Sequence, residues 1–551
     1  MGKIIATACL LLAASSMAVP PPPWFLEGAK QGEIDFPQYL ESYRDAVSRG
    51  VDAGNPIYGQ DHPPFGPDGT MSATDGRMNV LILLVDFSDN QAMTKGFYFD
   101  SMGFAADTFS LSSYYGEVSF GEIDIVTVNW PSEIGWERVP EAYSYYVGDN
   151  YGWGSYPTNS QGMVEAACKL ADPMVDFSEY DNDGDGYVDG VNVMFAGQFD
   201  GTPQTIWPHA WSLPGGGVEF DGVTVSSFSV QNEYDDEPGD KSAAVFCHEF
   251  GHVLGLPDLY DYDYDANGVG DWCLMSFGVY NGDSWSPAHL SAWCRLSLGI
   301  IEAVNVTAEG DYQVPSVESS GVVYRLWTNG SSGDEYFLLE NRRPIGYDAA
   351  LPGSGVLLWH IDDSVWSNDN QWYPGYTSSG HYHVALEQAD GLWEIEQAID
   401  YGDQGDPFPG SSLRDSFGEH TLPDSRDYAS QSTSVTVTAI PASADTVTVH
   451  MSVGDTGTGW GGVPVDASDL VLLSPNPSGS GIELLVTHAG GPASVAVFNL
   501  AGRRVAILQE GEMESGAHSM IWDASTSSPG VYFARYVSGH RTSLLPLVVV
   551  R

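Results

Sequence analysis

One stretch constrains this chain more than any other: Cys247-His248-Glu249-Phe250-Gly251-His252-Val253-Leu254-Gly255-Leu256-Pro257-Asp258. It reads as H-E-x-x-H followed by G-x-x-D. On a helix, residues four apart lie one turn apart on the same face, so His248 and His252 are placed to share one metal ion. Glu249 then reaches a water held in the metal's open position. Three protein ligands, one exchangeable water and a carboxylate to take its proton are what a catalytic zinc requires. Gly255 suits the left-handed conformation that ends a helix, and Pro257 cannot continue one. The chain is therefore expected to turn after His252 and return Asp258 as a third ligand. Downstream, Trp272-Cys273-Leu274-Met275-Ser276 is expected to form a methionine-containing turn beneath the ligands.

At these residues the sequence resembles the immune-inhibitor-A family of secreted bacterial zinc metalloproteases. The resemblance extends over residues 80–87, 113–121, 180–186, 340–342, 355–362 and 408–410, in the family's order. It implies a metzincin-like endopeptidase with His248, His252 and Asp258 on zinc and Glu249 as general base. A C-terminal piece, with Leu473-Ser474-Pro475-Asn476-Pro477, residues 495–505 and Gly530-Val531-Tyr532-Phe533, resembles the sorting domains of type IX secretion and the immunoglobulin-like module of flagellar hook-capping proteins. That resemblance implies a small β-sandwich and contact with secretion machinery.

A second loop carries metal chemistry of another kind. Asp181, Asp183, Asp185 and Asp189 stand at positions 1, 3, 5 and 9, with Gly186 at position 6 for the sharp turn. Oxygen ligands so spaced match the first part of a calcium loop, and the Tyr187 carbonyl would add a fifth ligand. Position 12 is Asn192 rather than Glu, so the loop is not a full EF-hand; a plain acidic turn is the competing reading. Asp263, Asp265, Asn267 and Asp271 repeat part of the spacing between the zinc ligands and Met275.

Composition limits the partners. Twenty basic against 74 acidic side chains give a net charge of −54, which argues against nucleic acid or anionic membranes as partners, since these require clustered Lys and Arg. Lys3, an apolar run over residues 4–14 and Ser16-Met17-Ala18 read as an export signal ending at residue 18. No later stretch supplies the ~20 apolar residues of a membrane span. The expected location is secreted, extracellular or cell-surface. In an exported protein Cys168, Cys247, Cys273 and Cys294 allow two disulfides in three pairings, or buried thiols.

At 551 residues the chain is long enough for several domains. Residues 19–76 read as a pro-segment or N-terminal arm with a helix near 37–48; having no cysteine, they cannot block zinc through a thiolate. Residues 77–300 read as an α/β zinc metalloprotease catalytic domain, with strands expected at 80–85, 123–127 and 188–195 and helices at 109–115 and 162–170. A β-rich domain over 301–453, a Gly-rich linker at 454–464 and a C-terminal β-sandwich over 465–551 follow.

The expected reaction is hydrolysis of peptide bonds in extracellular proteins. Glu249 takes the proton of a zinc-bound water and delivers it to the leaving nitrogen. Tyr280 and His209 are candidate oxyanion donors, against the plainer readings of a core tyrosine and a surface or supporting histidine. Two alternatives stay open: a surface or adhesive protein on a non-catalytic zinc fold, and a zinc hydrolase of non-peptide substrates.

Overall fold

The computed structural model describes residues 19–49, 76–262, 264–376 and 380–454, and those of 470–549 other than 473–480, 489, 500–502, 514–515, 526, 529 and 539–540. The expected export signal and nearly all of the expected linker lie outside the described residues. The chain divides into two compact units, residues 1–454 and 455–551.

The first unit is built around a mixed five-stranded sheet. Its strand order is Trp136–Arg138, Leu81–Asp86, Val191–Gln198, Ser227–Tyr234, His209–Ser212. All neighbours run parallel except the edge strand His209–Ser212, which is antiparallel to Ser227–Tyr234. Leu81–Asp86 is buried at every residue, as an apolar run in a sheet covered on both faces should be. Alternation sorts its side chains. Ile82 and Leu84 join the core that holds the helices Leu111–Val118 and Ala244–Val253. Leu81, Leu83 and Val85 join the opposite core, with Met163, Val164 and Cys168 of helix Ser160–Ala171.

Residues 19–48 pack on that second core. Helices Pro23–Gln31 and Phe36–Ser48 carry Phe25, Tyr39 and Tyr43 into an aromatic cluster with Trp153 and Trp207. Phe25 meets Trp207 edge-on at 5.1 Å and Tyr39 at 5.0 Å, and the Tyr43 and Tyr260 hydroxyls are 3.3 Å apart.

Beyond residue 300 lie a five-stranded sheet of Val304–Asn305, Tyr324–Leu326, Glu335–Arg342, Gly355–Asp362 and Val384–Leu386, and a three-stranded sheet of Gly310–Pro315, Thr446–Ser452 and Thr436–Thr438. Leu338, Leu357, Trp359 and Ile361 of the larger sheet share one apolar cluster with Phe250 and Met275, so the β-rich part and the helix bearing H-E-x-x-H close on a common core. In the second unit, a three-stranded and a four-stranded antiparallel sheet enclose a separate core that includes Leu484, Val495, Trp522, Tyr536 and Leu547. No helix among the described residues is long and apolar enough to cross a membrane. No disulfide joins the described residues; Cys168, Cys247, Cys273 and Cys294 are buried thiols, the sulfurs of Cys273 and Cys294 lying 4.0 Å apart.

Candidate metal centre and active site

Helix Ala244–Val253 is buried along its whole length. It ends in a Schellman turn: Gly255, at φ +93°, donates to the His252 carbonyl, and Leu256 donates to that of Gly251, both at 2.9 Å. Only a residue that tolerates the left-handed region closes this turn without strain. The turn has two consequences for the site. It presents the Leu256 carbonyl to His252 Nδ1 at 2.9 Å, and it reverses the chain so that Asp258 comes back over the helix.

His248, His252 and Asp258 are brought together there. His248 Nε2 and His252 Nε2 lie 3.3 Å apart, and Asp258 Oδ1 lies 3.1 Å from the first and 3.5 Å from the second. Four tetrahedral ligands at the ~2.0–2.1 Å usual for zinc stand about 3.3 Å from one another, so these three atoms fit a zinc ion without rearrangement. The tautomers fit as well. His248 Nδ1 lies 2.9 Å from the Leu274 carbonyl, and His252 Nδ1 is held as described, so both Nδ1 atoms carry the proton and both Nε2 lone pairs face the shared point. Burial pushes the His252 pKa well below its ordinary value, which keeps the imidazole neutral as a ligand must be.

Glu249 does not join the three ligand atoms. Its Oε1 accepts the backbone N–H of Val19 at 3.2 Å, and Oε2 is buried without a partner among the described residues. Burial, opposed by His248 and reinforced by Asp258, pushes its carboxyl up to about 8. Met275 lies beneath the helix: a Cβ placed on Gly251 would come 2.6 Å from Met275 Sδ, so glycine at this position lets the methionine approach. The Met275 carbonyl accepts Leu259 N at 2.7 Å, which ties the turn to the residue after Asp258. Tyr115 Oη, bonded to the Cys247 carbonyl at 2.7 Å, fixes the helix from the other side.

The two candidate oxyanion donors separate. Tyr280 Oη donates to the Pro20 carbonyl. Burial, then Asp235 and Glu249, hold its phenol well above its ordinary pKa, so it stays a donor. His209 is fully buried rather than at the surface, its ring held by Ser160 Oγ at 2.8 Å and the Trp207 carbonyl at 2.6 Å; burial lowers its pKa to about 4.

Behind the methionine turn, Arg342 is completely buried. It forks onto Asp348 through Nε at 2.7 Å and Nη2 at 2.6 Å, and its Nη1 reaches Glu340 at 3.2 Å and the Trp272 carbonyl at 3.4 Å. These charged contacts, and the Leu256 and Leu274 carbonyls, were invisible in the sequence: a backbone acceptor has no residue signature.

At the acidic loop, carboxylate oxygens of Asp181, Asp183 and Asp185 lie within 4.8 Å of one another. Asp181 accepts Gly184 N, Asp185 N and Gly186 N at 2.8–3.1 Å, which folds the loop around it. Tyr187 N donates to Asp185 Oδ1 at 2.8 Å. Asp189, 2% exposed, accepts Asn182 N through Oδ2 at 2.6 Å, while its Oδ1 has no partner among the described residues. Burial, with Asp183 and Asp185 nearby, raises its pKa to about 7. The second acidic run does not gather in this way among the described residues. Asp263 lies outside the described residues, Asp265 holds Gln371 at 2.8 Å, and Asn267 Nδ2 donates to the Asp400 carbonyl at 2.6 Å.

Residues 95–298, which include His248, Glu249, His252, Asp258 and Met275, match the family model of the immune inhibitor A peptidase M6 catalytic domain. The chain is 29% identical over 191 residues to the pre-pro-metalloprotease PrtV of Vibrio cholerae, a match covering 29% of this chain and 21% of that protein. It is 28% identical over 254 residues to immune inhibitor A of Bacillus thuringiensis subsp. alesti, covering 37% of this chain and 36% of the relative. The chain thus spans about a fifth and about a third of these two relatives. Among solved structures, PorZ, a surface component of the type-IX secretion system of Porphyromonas gingivalis, overlaps 21% of this chain and 15% of its own at 17% identity, with a TM-score of 0.12 that carries no argument about the fold.

Proposed function

We propose that this chain, which carries an immune inhibitor A peptidase M6 catalytic domain, is a zinc-dependent endopeptidase acting on extracellular proteins. The observation that carries the reading is the triangle of His248 Nε2, His252 Nε2 and Asp258 Oδ1, with sides of 3.1–3.5 Å, beside a buried carboxylate outside it. Zinc in such a triangle supplies Lewis acidity and an acidified water. The chain's residues do the rest. The Leu256 and Leu274 carbonyls fix the histidine tautomers. Glu249 takes a proton from the attacking water and hands it to the departing nitrogen. The Tyr280 hydroxyl is a donor for the oxyanion, since it already holds a peptide carbonyl, that of Pro20.

Calcium at the acidic loop belongs to the same proposal. Asp181, Asp183, Asp185, the Tyr187 carbonyl and Asp189 would hold it, and the unpartnered buried Oδ1 of Asp189 supports this, because a buried carboxylate oxygen is costly without a counter-charge. The second unit's two sheets are compatible with the expected sandwich, and export would be directed by residues 1–18.

The test is metal analysis together with casein hydrolysis by wild type and Glu249→Ala. The variant should retain one zinc per chain and lose roughly 10²–10⁴-fold in rate. Equal rates would refute the role of Glu249, and absence of zinc from both would refute the centre.

A further inference from the structure

Behind the metal centre, two nucleophilic side chains meet that take no part in peptide hydrolysis. The sulfurs of Cys273 and Cys294 lie 4.0 Å apart, and both residues are fully buried. Ser291 brings them together. Its N–H donates to Cys273 Sγ at 3.2 Å, and its hydroxyl caps helix Ala292–Ser297 by accepting the N–H of Cys294 at 3.2 Å. Burial opposes ionisation of the Cys273 thiol, but the contact with Cys294 and the Ser291 N–H outweigh it and hold its pKa below the ordinary value; Cys294 is pushed up by burial and by Cys273. The remaining thiols stand elsewhere. Cys168 belongs to the core on the opposite face of the central sheet, and Cys247 lies on helix Ala244–Val253.

The pair joins two pieces that the active site needs held together. Cys273 precedes Leu274, whose carbonyl orients His248 and whose N–H donates to the His289 carbonyl at 3.3 Å. Cys294 precedes Arg295, which pairs with Glu340 of the five-stranded sheet.

We propose that Cys273 and Cys294 are an oxidation site, closed into a disulfide as the chain is exported, and that the bond staples the methionine turn to helix Ala292–Ser297. Bringing the sulfurs from 4.0 Å to the ~2.05 Å of a disulfide moves each by about 1 Å, which side-chain rotation supplies. The oxidant is a thiol–disulfide oxidant of the export compartment. Cys273, as thiolate, attacks one sulfur of the oxidant's disulfide and expels the other as a thiol. Cys294, after giving up its proton, attacks the Cys273 sulfur of the mixed disulfide and expels the second thiol. The two cysteines lose two protons and two electrons, and the oxidant gains both. Because the folded pair is shut away from solvent, the exchange belongs to the time before the core closes, when an exported chain first meets an oxidising compartment.

The full chain is to be isolated without reductant from an exporting host, denatured in an alkylating reagent and mapped by peptide mass spectrometry. Cys168 and Cys247 are expected to carry the alkyl group, and the peptides of Cys273 and Cys294 to be joined and lighter by two hydrogen atoms. A second portion is prepared and melted in dithiothreitol throughout. Bonding residues 21 apart in sequence should place the melting temperature of the oxidised chain about 3 °C above that of the reduced one. Cys294→Ala should melt alike with and without dithiothreitol; Cys294→Ser replaces it should that variant not fold. Alkylation of Cys273 and Cys294 in the exported chain, or a bond from either to Cys168 or Cys247, overturns the proposal. A bonded chain that melts no higher than the reduced one overturns the staple, and so does a variant that keeps the full dependence on reductant.

Discussion

Replacing Arg342 with methionine tests whether the charges behind the methionine turn support the active site. Arg342 is fully buried, and the substitution leaves Asp348 without its forked partner, retaining the His289 N–H at 2.8 Å. Glu340 suffers less, because Arg295 and Trp359 Nε1 still reach it. Asp348 is thus stripped of its counter-charge, and the buried side chain of Glu318, 3.7 Å from Arg342 Nε, loses a longer contact while keeping the Arg343 N–H, a loss of ~3–5 kcal/mol in all. The first unit spans residues 1–454, and at ~2.1 cal/mol/K per residue its unfolding entropy is about 1 kcal/mol/K. The melting temperature should therefore fall by about 3–5 °C. Adding Asp348→Asn to Arg342→Met removes the stranded charge and keeps an acceptor for His289, so at least half of the loss should return. Differential scanning calorimetry on the two variants and wild type measures both steps. A single variant within ~1 kcal/mol of wild type, or a double variant no more stable than the single, would show that the ionic contact is not what the site depends on.

Three further outcomes are expected. Gly251→Ala gains about 1 kcal/mol of helix propensity but drives a Cβ to 2.6 Å from the buried Met275 Sδ; with overpacking costing ~1–3 kcal/mol, urea unfolding should show a net loss of up to about 2 kcal/mol. For Asp189, the folded pKa of about 7 stands above the unfolded value near 3.8, so protonation favours the fold. Its contribution in calcium-free protein is complete below about pH 4 and lost as pH rises through about 7; Asp189→Asn should flatten that decline, and added calcium should reverse it, as read by melting temperature across pH 4–8. Tyr115→Phe removes the bond to the Cys247 carbonyl and should lower stability by about 1 kcal/mol without releasing zinc, checked by thermal melting and metal analysis.

Where pattern is set by local periodicity, the sequence was readable. The apolar run expected at 80–85 corresponds to the strand Leu81–Asp86, and the helices expected at 37–48 and 162–170 correspond to Phe36–Ser48 and Ser160–Ala171. Helix Pro23–Gln31 carries no such signal because it opens on the last of four consecutive prolines; Pro23 occupies the first helical turn, where a missing N–H costs nothing. The edge strand His209–Ser212 is four residues long and exists only because Ser227–Tyr234 offers it a ladder. Calcium-like spacing recurred at two loops, yet among the described residues only the first gathers its carboxylates, since at the second Asp265 accepts from Gln371 and Asn267 donates to the Asp400 carbonyl.

The sequence by itself determined which side chains face a common point at the candidate metal centre. A helix repeat of 3.6 residues pairs His248 with His252, and the left-handed turn at Gly255 returns the chain carrying Asp258; both are matters of a dozen neighbouring residues. The fold alone decided how those groups are tuned and what meets them. The Leu274 carbonyl on His248, the buried Arg342 behind Trp272 and the Val19 amide on Glu249 come from segments 26 to 230 residues apart, and only packing of a shared apolar core brings such distant backbone into hydrogen-bonding range.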